Sequence, residues 1–353
     1  MKVIKRSLSP LLFLSFGLAA AFASSALGDD AENISSRLSS ATRSAANETF
    51  RLQYRFQPGE TLRWKVVHLA TTETTIQGNT QTSQSRSTST KVWKVTEVTP
   101  EGNFTFVHMV SDADMWKKVS GRPEERYNSK SDETPPIDYE QAAQTIGKPL
   151  ASFTVDPSGA VLKRKDLHAH AKMAHGQVML PLPEGQVKPG HTWYAPDEVV
   201  VRLPDRRLEK IKTRQRYVLE EVESGVATIS IATQVLTPVN DPKVRSQLLQ
   251  QITEGEAKFD ITSGRLLSKR LEWDETVIGF NGPESILKFL ARGTEQLLTD
   301  ETAVRVVPDD EETLVAPLRT AAQPAITKSA PTGTAPTETT PIRRRDGDPI
   351  YRR

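Results

Sequence analysis

Residues 257–273 read AKFDITSGRLLSKRLEW, in which apolar and polar residues alternate on both sides of the turn Thr262-Ser263-Gly264. This alternation is typical of a strand with one dry face and one wet face. Glycine in the turn tolerates a positive φ that other residues avoid. The stretch therefore predicts an antiparallel β-hairpin.

The same pattern occurs earlier, at residues 153–162 (FTVDPSGAVL), where the run Asp-Pro-Ser-Gly marks the turn. Each hairpin follows an opening that contains Pro-Gly, namely residues 58–64 (PGETLRW) and residues 189–194 (PGHTWY). The structural units of solenoid proteins repeat every 20–50 residues or so, and the spacing between the two hairpins here is much longer. The pattern therefore predicts a duplicated subdomain.

Period-two alternation dominates residues 51–300, which we interpret as one β-rich body with halves at about 51–175 and 176–300. Leu62 and Trp64 share a face of one predicted strand. The predicted fold class is α+β, mainly antiparallel β. In it, two similar meander halves form curved sheets that are covered by two or three helices.

Three segments are predicted to be those helices, at about residues 138–147, 242–253 and 283–298. The second has the strongest start signal, because Asp241 is a capping residue and Pro242 suits the first helical position. The third is densely apolar, which favours a helix packed on a sheet.

Serine and threonine make up twelve of the twenty residues from Thr71 to Thr90. Because β-branched threonine suits strands, we interpret this segment as a long polar hairpin with its turn at Gln77-Gly78-Asn79. A surface loop is the alternative.

Residues 1–28 are predicted to be a secretory signal peptide. Lys2, Lys5 and Arg6 precede an apolar run that is short for a membrane span, and cleavage is predicted after Ala23 or Gly28. The chain has no cysteine, which excludes disulfides, thiolate metal sites and a lipid anchor on an N-terminal cysteine. We expect an exported, soluble bacterial protein, periplasmic or extracellular, that is not a lipoprotein and has no transmembrane segment after signal cleavage.

The formal net charge of the whole chain is +2, and the predicted signal carries three of its positive charges, which leaves −1. This balance gives no reason to predict a specific nucleic-acid partner.

Residues 29–50 are rich in alanine and serine, and residues 301–353 are rich in proline, threonine and alanine with a basic end. Both segments are predicted to be disordered.

Several stretches together resemble an uncharacterised family of exported bacterial proteins, known as domain of unknown function family 6263. They are residues 54–64 (YRFQPGETLRW), 95–102 (VTEVTPEG), 156–159 (DPSG) and 187–193 (VKPGHTW). The resemblance covers about residues 50–300. It implies no activity and identifies no functional residues.

Three histidines, His168, His170 and His175, are close together in the sequence. Histidine is a common metal ligand, and Asp166 is a candidate for a further ligand of zinc or copper. The spacing matches no established motif, so a polar helix or linker with incidental histidines is the alternative.

Trp64 and Trp193 occupy nearly equivalent positions in the two openings. They are candidates for a sugar- or lipid-binding face, although an aromatic residue in a strand is more often part of the core.

The sequence has no phosphate-binding loop, GxSxG elbow or HExxH helix, and we predict neither enzymatic activity nor a cofactor. The leading hypothesis is a non-enzymatic envelope protein that binds lipid or another apolar ligand. One alternative is an interaction module that binds a cell-envelope component through the Thr/Ser-rich hairpin and the basic tail. The other is a metal-dependent hydrolase that uses the histidine cluster.

Overall fold

The computed structural model describes residues 48–169 and 177–299. The predicted signal peptide, most of the predicted leader and the predicted tail lie outside these residues. The predicted disorder of residues 29–50 is wrong at the end of this segment, because Phe50 begins the first strand.

Most of the described residues form strands. The strands are β1 Phe50–Arg51, β2 Thr61–Ile76, β3 Asn79–Val98, β4 Phe104–Val119, β5 Glu125–Asn128, β6 Pro149–Val155, β7 Val161–Asp166, β8 Gln186–Val187, β9 Thr192–Arg202, β10 Leu208–Glu223, β11 Val226–Val235, β12 Glu254–Asp260, β13 Arg265–Ile278 and β14 Ser285–Leu297.

Twelve of the described strands form one sheet, in the order β7-β6-β4-β3-β2-β14-β13-β12-β11-β10-β9, with β5 paired to β4. The strands β1 and β8 form a separate pair. All pairs between these strands are antiparallel. The prediction of a mainly antiparallel β structure is confirmed.

The strands β2 and β14 join the two predicted halves in the middle of the sheet. Their register runs from Trp64 opposite Leu297 to Ile76 opposite Ser285. This pairing satisfies backbone groups that would otherwise remain open at two long edges. One sheet therefore crosses both halves, and the prediction that each half forms a sheet of its own is wrong. The origin of the halves by duplication stays a prediction.

The predicted helix over residues 283–298 is wrong, because this segment is strand β14. The strand is hydrogen-bonded to β13 on one side and to β2 on the other. Apolar residues lie on both of its faces, so its sequence does not alternate clearly, and a dense apolar run of this kind can be mistaken for a helix.

The other two predicted helices exist in shorter form. A 3₁₀ turn at Ile137–Tyr139 leads into α1, Glu140–Ala143. Helix α2, Pro242–Leu248, begins as predicted, since Asp241 accepts a hydrogen bond of 2.8 Å from the backbone N–H of Lys243. It ends before the predicted residue 253.

One hydrophobic core contains residues from both halves. Phe106 and Phe153 come from β4 and β6, and Tyr217 and Phe259 come from β10 and β12. These residues lie on one face of the sheet, which we call the inner face. Because both ends of the sheet contribute to the same cluster, the two halves share a core.

The segment before β2 runs between the two predicted hairpins. The N–H of Tyr54 donates to the carbonyl of Pro157 at 2.8 Å, and the N–H of Arg55 donates to the carbonyl of Gly264 at 3.3 Å. A Cβ atom on Gly264 would lie 2.7 Å from backbone atoms of this segment. Each hairpin turn therefore contacts one side of the same extended segment.

Among the residues that the structure describes, no helix has the length and apolar character needed to cross a bilayer.

Candidate functional site

A cleft of about 680 Å³ lies between the β6–β7 hairpin and the beginning of β9. Residues 177–184 form a third wall of this cleft. The apolar residues that line the whole cleft are Phe153, Ala160, Val161, Val178, Met179, Pro181, Leu182, Pro183, Trp193, Ala195 and Pro196. We refer to this space as the cleft.

Hydrogen bonds fix the third wall of the cleft. The N–H of Leu182 donates to the carbonyl of Ser158 at 2.8 Å. The hydroxyl of Tyr54 donates to the carbonyl of Leu180 at 3.0 Å. Because these bonds come from the core side and from the hairpin, the wall is part of the fold rather than a loose loop.

Trp193, a candidate from the sequence, lines the cleft. Its indole Nε1 donates to the carbonyl of Pro181 at 2.9 Å, and its ring stacks on Tyr217 with centroids 5.6 Å apart. The ring is half-buried. One edge of Trp193 is thus anchored, and the residue presents aromatic surface to the cleft.

Trp64, the other candidate, lies in the core with 1% of its surface exposed. Its Nε1 donates to the carbonyl of Leu266 at 3.2 Å. Counted from the Pro-Gly pair of each opening, Trp193 stands where Leu62 stands, and Trp64 comes two residues later, so the equivalence of the two tryptophans is only approximate.

A second cavity, of about 230 Å³, adjoins the cleft, and we refer to it as the inner cavity. The two spaces share four lining residues. These are Phe153, Arg164, Gln177 and Val178. The other lining residues of the inner cavity are Lys91, Trp93, His108, Leu150, Ala151 and Glu295. Its lining therefore includes three charged side chains, those of Lys91, Arg164 and Glu295.

Three charged side chains meet on the inner face beside this cavity, and we call them the charge cluster; Lys91 and Glu295 line the cavity, and Lys269 contacts Glu295. The Nζ of Lys91 lies 2.5 Å from Oε2 of Glu295, and the Nζ of Lys269 lies 3.0 Å from Oε1 of the same carboxylate. Their side chains are only 13%, 19% and 18% exposed, in the order Lys91, Glu295 and Lys269. Ions so poorly hydrated are held by each other and by hydrogen bonds.

The strand register creates the charge cluster. Lys269 and Glu295 lie directly opposite each other on β13 and β14. Lys91 lies opposite the core residue Trp64, and its side chain reaches across β2 to Glu295. Residues directly opposite on paired strands share a face, so all three side chains point to the inner side.

Burial and the neighbouring lysine charges shift the pKa of Glu295 in opposite directions. Burial alone would raise the pKa of its carboxyl group, but Lys269 and Lys91 outweigh this and lower the pKa to about 2. Burial also lowers the pKa of Lys91, an effect that Glu295 opposes and Lys269 reinforces. The carboxylate of Glu295 is thus firmly ionised, whereas burial disfavours the charged form of Lys91.

Two polar atoms beside the inner cavity lack hydrogen-bond partners among the described residues. They are Nδ1 of His108 and Nε1 of Trp93. Burial, followed by the charge of Lys91, lowers the pKa of His108 to about 4, so its ring is neutral at physiological pH. Unpartnered buried polar atoms are rare and often indicate a bound water or ligand.

Aromatic rings also surround Lys91. Its Nζ lies 4.8 Å from the ring centroid of Trp64 and 5.0 Å from that of Trp93. Such cation–π contacts partly replace the hydration that the ammonium group has lost. Trp64 therefore supports the charge cluster from the core rather than lining a ligand site.

The predicted metal site lies only partly within the described residues. His168 follows β7, and its N–H donates to the carbonyl of Leu150 at 3.1 Å. His170 and His175 lie outside. The described residues contain no group of three or more potential ligands arranged for a metal ion. Metal binding by the three histidines stays a prediction.

The predicted Thr/Ser-rich hairpin is confirmed. Strands β2 and β3 pair as far as Ile76 opposite Asn79, and Gln77 and Gly78 both have positive φ, as a tight two-residue turn requires. Its strands also pair with β14 and β4, so the hairpin is part of the sheet and not a surface loop.

The sequence did not reveal the charge cluster, although a weak signal exists. Lys91 lies two and four residues before Trp93 and Val95, so it belongs to the same face of β3 as these two core residues. A lysine in the apolar phase of a strand indicates a buried charge, but its partner Glu295 lies in the segment mistaken for a helix.

No protein-family model and no curated protein matches the chain. Two solved structures show limited likeness. One, titled "Lipid-protein interactions in lipovitellin", has a TM-score of 0.42 and 13% identity, and the match covers 69% of this chain and 26% of that one. The other is the translocator domain of the autotransporter NalP from Neisseria meningitidis, with a TM-score of 0.20, 6% identity, and coverage of 76% and 95%. The chain thus spans about a quarter of the lipovitellin chain, and neither likeness identifies a function.

Proposed function

We propose that the chain is an exported, non-enzymatic protein of the bacterial envelope that binds a small apolar or amphipathic molecule in the cleft. The cleft is the observation that carries this proposal. Its volume of about 680 Å³ falls within the 300–1,000 Å³ or so that is usual for small-molecule sites. Its walls are mostly apolar, with a few polar groups at fixed positions, as such sites require.

The rigidity of the cleft supports binding. Its walls belong to the sheet and to a segment tied to the core by the hydroxyl of Tyr54. A preformed site loses little conformational entropy when the ligand enters, so more of the hydrophobic gain appears as affinity. Trp193 adds a half-buried aromatic surface for a hydrocarbon chain or ring.

Export is the second part of the proposal, and it rests on the predicted signal peptide and the absence of cysteine. N-terminal sequencing of the protein from the periplasmic or extracellular fraction should begin just after Ala23 or Gly28. A cytoplasmic protein that retains Met1 would contradict export.

Native mass spectrometry tests the ligand. The protein is purified without detergent, and the retained mass is compared in the wild type, Ala195→Trp and Ala232→Trp. Both alanines are half-buried, Ala195 in β9 and Ala232 in β11, but only Ala195 lines the cleft. We expect a small apolar molecule on the wild type and on Ala232→Trp, and its loss from Ala195→Trp. A wild type that carries no such mass and takes up no added amphiphile would overturn the proposal.

A further inference from the structure

The charge cluster has one positive charge more than it has negative charges. Lys91 and Lys269 contribute two and Glu295 removes one, which leaves +1. Arg164, which also lines the inner cavity, is balanced by Asp166 at 2.8 Å. Lys91 and Glu295 line the inner cavity, and Lys269 contacts the other oxygen of Glu295, so the charge cluster beside this cavity carries a net charge of one unit.

A buried excess charge is unfavourable unless an opposite charge lies beside it. Only one of the three N–H groups of Lys91 is needed for Glu295, so donors remain on the same ammonium group. The Nε1 group of Trp93, a residue 2% exposed, is a further donor without a partner among the described residues. An ammonium group with donors to spare and an indole N–H that lacks an acceptor indicate an anionic or strongly accepting ligand group.

We infer that the inner cavity binds the carboxylate of a single-chain amphiphile, such as a fatty acid, whose hydrocarbon chain lies in the cleft. This inference rests on the proposed function. The excess of one charge matches a monoanion, whereas a phosphate dianion would leave a buried negative charge. The cavity volume of about 230 Å³ is too small for a whole amphiphile of ordinary size and suits its head group.

The shared wall makes this arrangement possible. Phe153 and Val178 line both spaces, so a chain can run from one into the other along apolar surface. The carboxylate would accept hydrogen bonds from Lys91 and replace the water that burial removes. Charge-assisted hydrogen bonds of this kind are among the stronger ones in proteins.

Three ligands with the same twelve-carbon chain test the inference: dodecanoate, dodecan-1-ol and dodecylammonium. Their dissociation constants for the purified protein are measured by titration calorimetry at neutral pH, below the concentration at which each aggregates. We expect dodecanoate to bind about tenfold or more tightly than dodecan-1-ol, and dodecylammonium to bind weakest.

Two variants link the preference to the charge cluster. Lys91→Met and Lys269→Met each leave Glu295 with one lysine, so a neutral pair remains in the core. Both should bind dodecan-1-ol as the wild type does and lose most of the preference for dodecanoate. Lys288→Met is the control, because Lys288 pairs with Glu73 on an exposed part of the sheet.

The outcomes separate the two proposals. If none of the three ligands binds, the proposed function fails and this inference fails with it. If all three bind equally, the cleft is a ligand site but the carboxylate inference is overturned. If dodecanoate is preferred and the preference survives in both cluster variants, its head group binds elsewhere and the inference is again overturned.

Discussion

The hydroxyl of Tyr54 donates a hydrogen bond of 3.0 Å to the carbonyl of Leu180, a residue 126 positions away. Tyr54 is almost fully buried, and its ring meets Phe259 edge-on with centroids 5.3 Å apart. This bond ties the segment before β2 to the wall of the cleft. Removal of the Tyr54 hydroxyl oxygen therefore tests how strongly the core holds the wall of the cleft.

Tyr54→Phe should lower the free energy of unfolding by about 1–3 kcal/mol, because a buried carbonyl loses its donor. Tyr194→Phe is the matched control, since Tyr194 is 48% exposed, and it should change stability by less than about 0.5 kcal/mol. Urea unfolding followed by tryptophan fluorescence measures both. Equal effects of the two substitutions would show that the bond does not hold the wall.

Gly264→Ala should destabilise the protein more than Gly185→Ala. Both glycines have positive φ, at 68° and 78°, so alanine is strained at either position. Only at Gly264 would the new Cβ atom also lie 2.7 Å from the N of Arg55 and the O of Gln53. Overpacking of this kind costs about 1–3 kcal/mol, which we expect as the difference between the variants in thermal unfolding. No difference would mean that the extended segment moves aside freely.

Glu295→Gln should be strongly destabilising, because it leaves Lys91 and Lys269 together in the core without a counterion. Loss of one partner from a buried ionic group costs about 3–5 kcal/mol. Glu73→Gln breaks the more exposed pair with Lys288 and should cost about 0–1 kcal/mol. Chemical denaturation compares them. A Glu295→Gln protein as stable as Glu73→Gln would show that water screens the charge cluster.

Stability should fall in two steps as the pH is lowered. The pKa of His108 is about 4 in the folded protein against an ordinary 6.5, so the unfolded chain takes up this proton first and stability is lost from about pH 6.5 to 4. Burial lowers the pKa of His68 as well, which adds loss in the same direction. The pKa of Glu295 is about 2 against an ordinary 4.5, so its contribution is present above pH 4.5 and lost between about 4.5 and 2.

Urea unfolding at several pH values across both windows measures these steps. His108→Phe should flatten the upper step without removing the contribution of His68, and it should leave the lower step in place. An unchanged upper step in His108→Phe would mean that His108 is neither buried nor neutral in solution.

Local signals allowed correct prediction of several elements. The signals that predicted them are local. They are the glycines of the hairpin turns, the turn Gln77-Gly78 between β2 and β3, and the capping residue Asp241, each of which shapes only the backbone within a few residues of it. Their geometry is determined by the backbone nearby, so a single sequence is sufficient to recognise them.

Pairing between distant strands was not predictable in this way. Phe289 lies opposite Thr72, more than two hundred residues away, and nothing near Phe289 in the sequence indicates that partner. The charge cluster has the same origin, because Lys91 and Glu295 are 204 residues apart. Their contact depends on the register of β2 between them, which only the assembled sheet defines.

The central pairing of β2 with β14 has a consequence for the order of events during synthesis. Until residues 285–297 have been made, β2 and β13 each have an unpaired edge, and the chain consists of two separate meanders. Contacts this distant in sequence slow folding. The sheet is therefore complete only after the last described strand has been added. Until almost all of the β-rich body has been synthesised, the growing chain keeps unpaired strand edges and can still bind chaperones or enter a translocation channel.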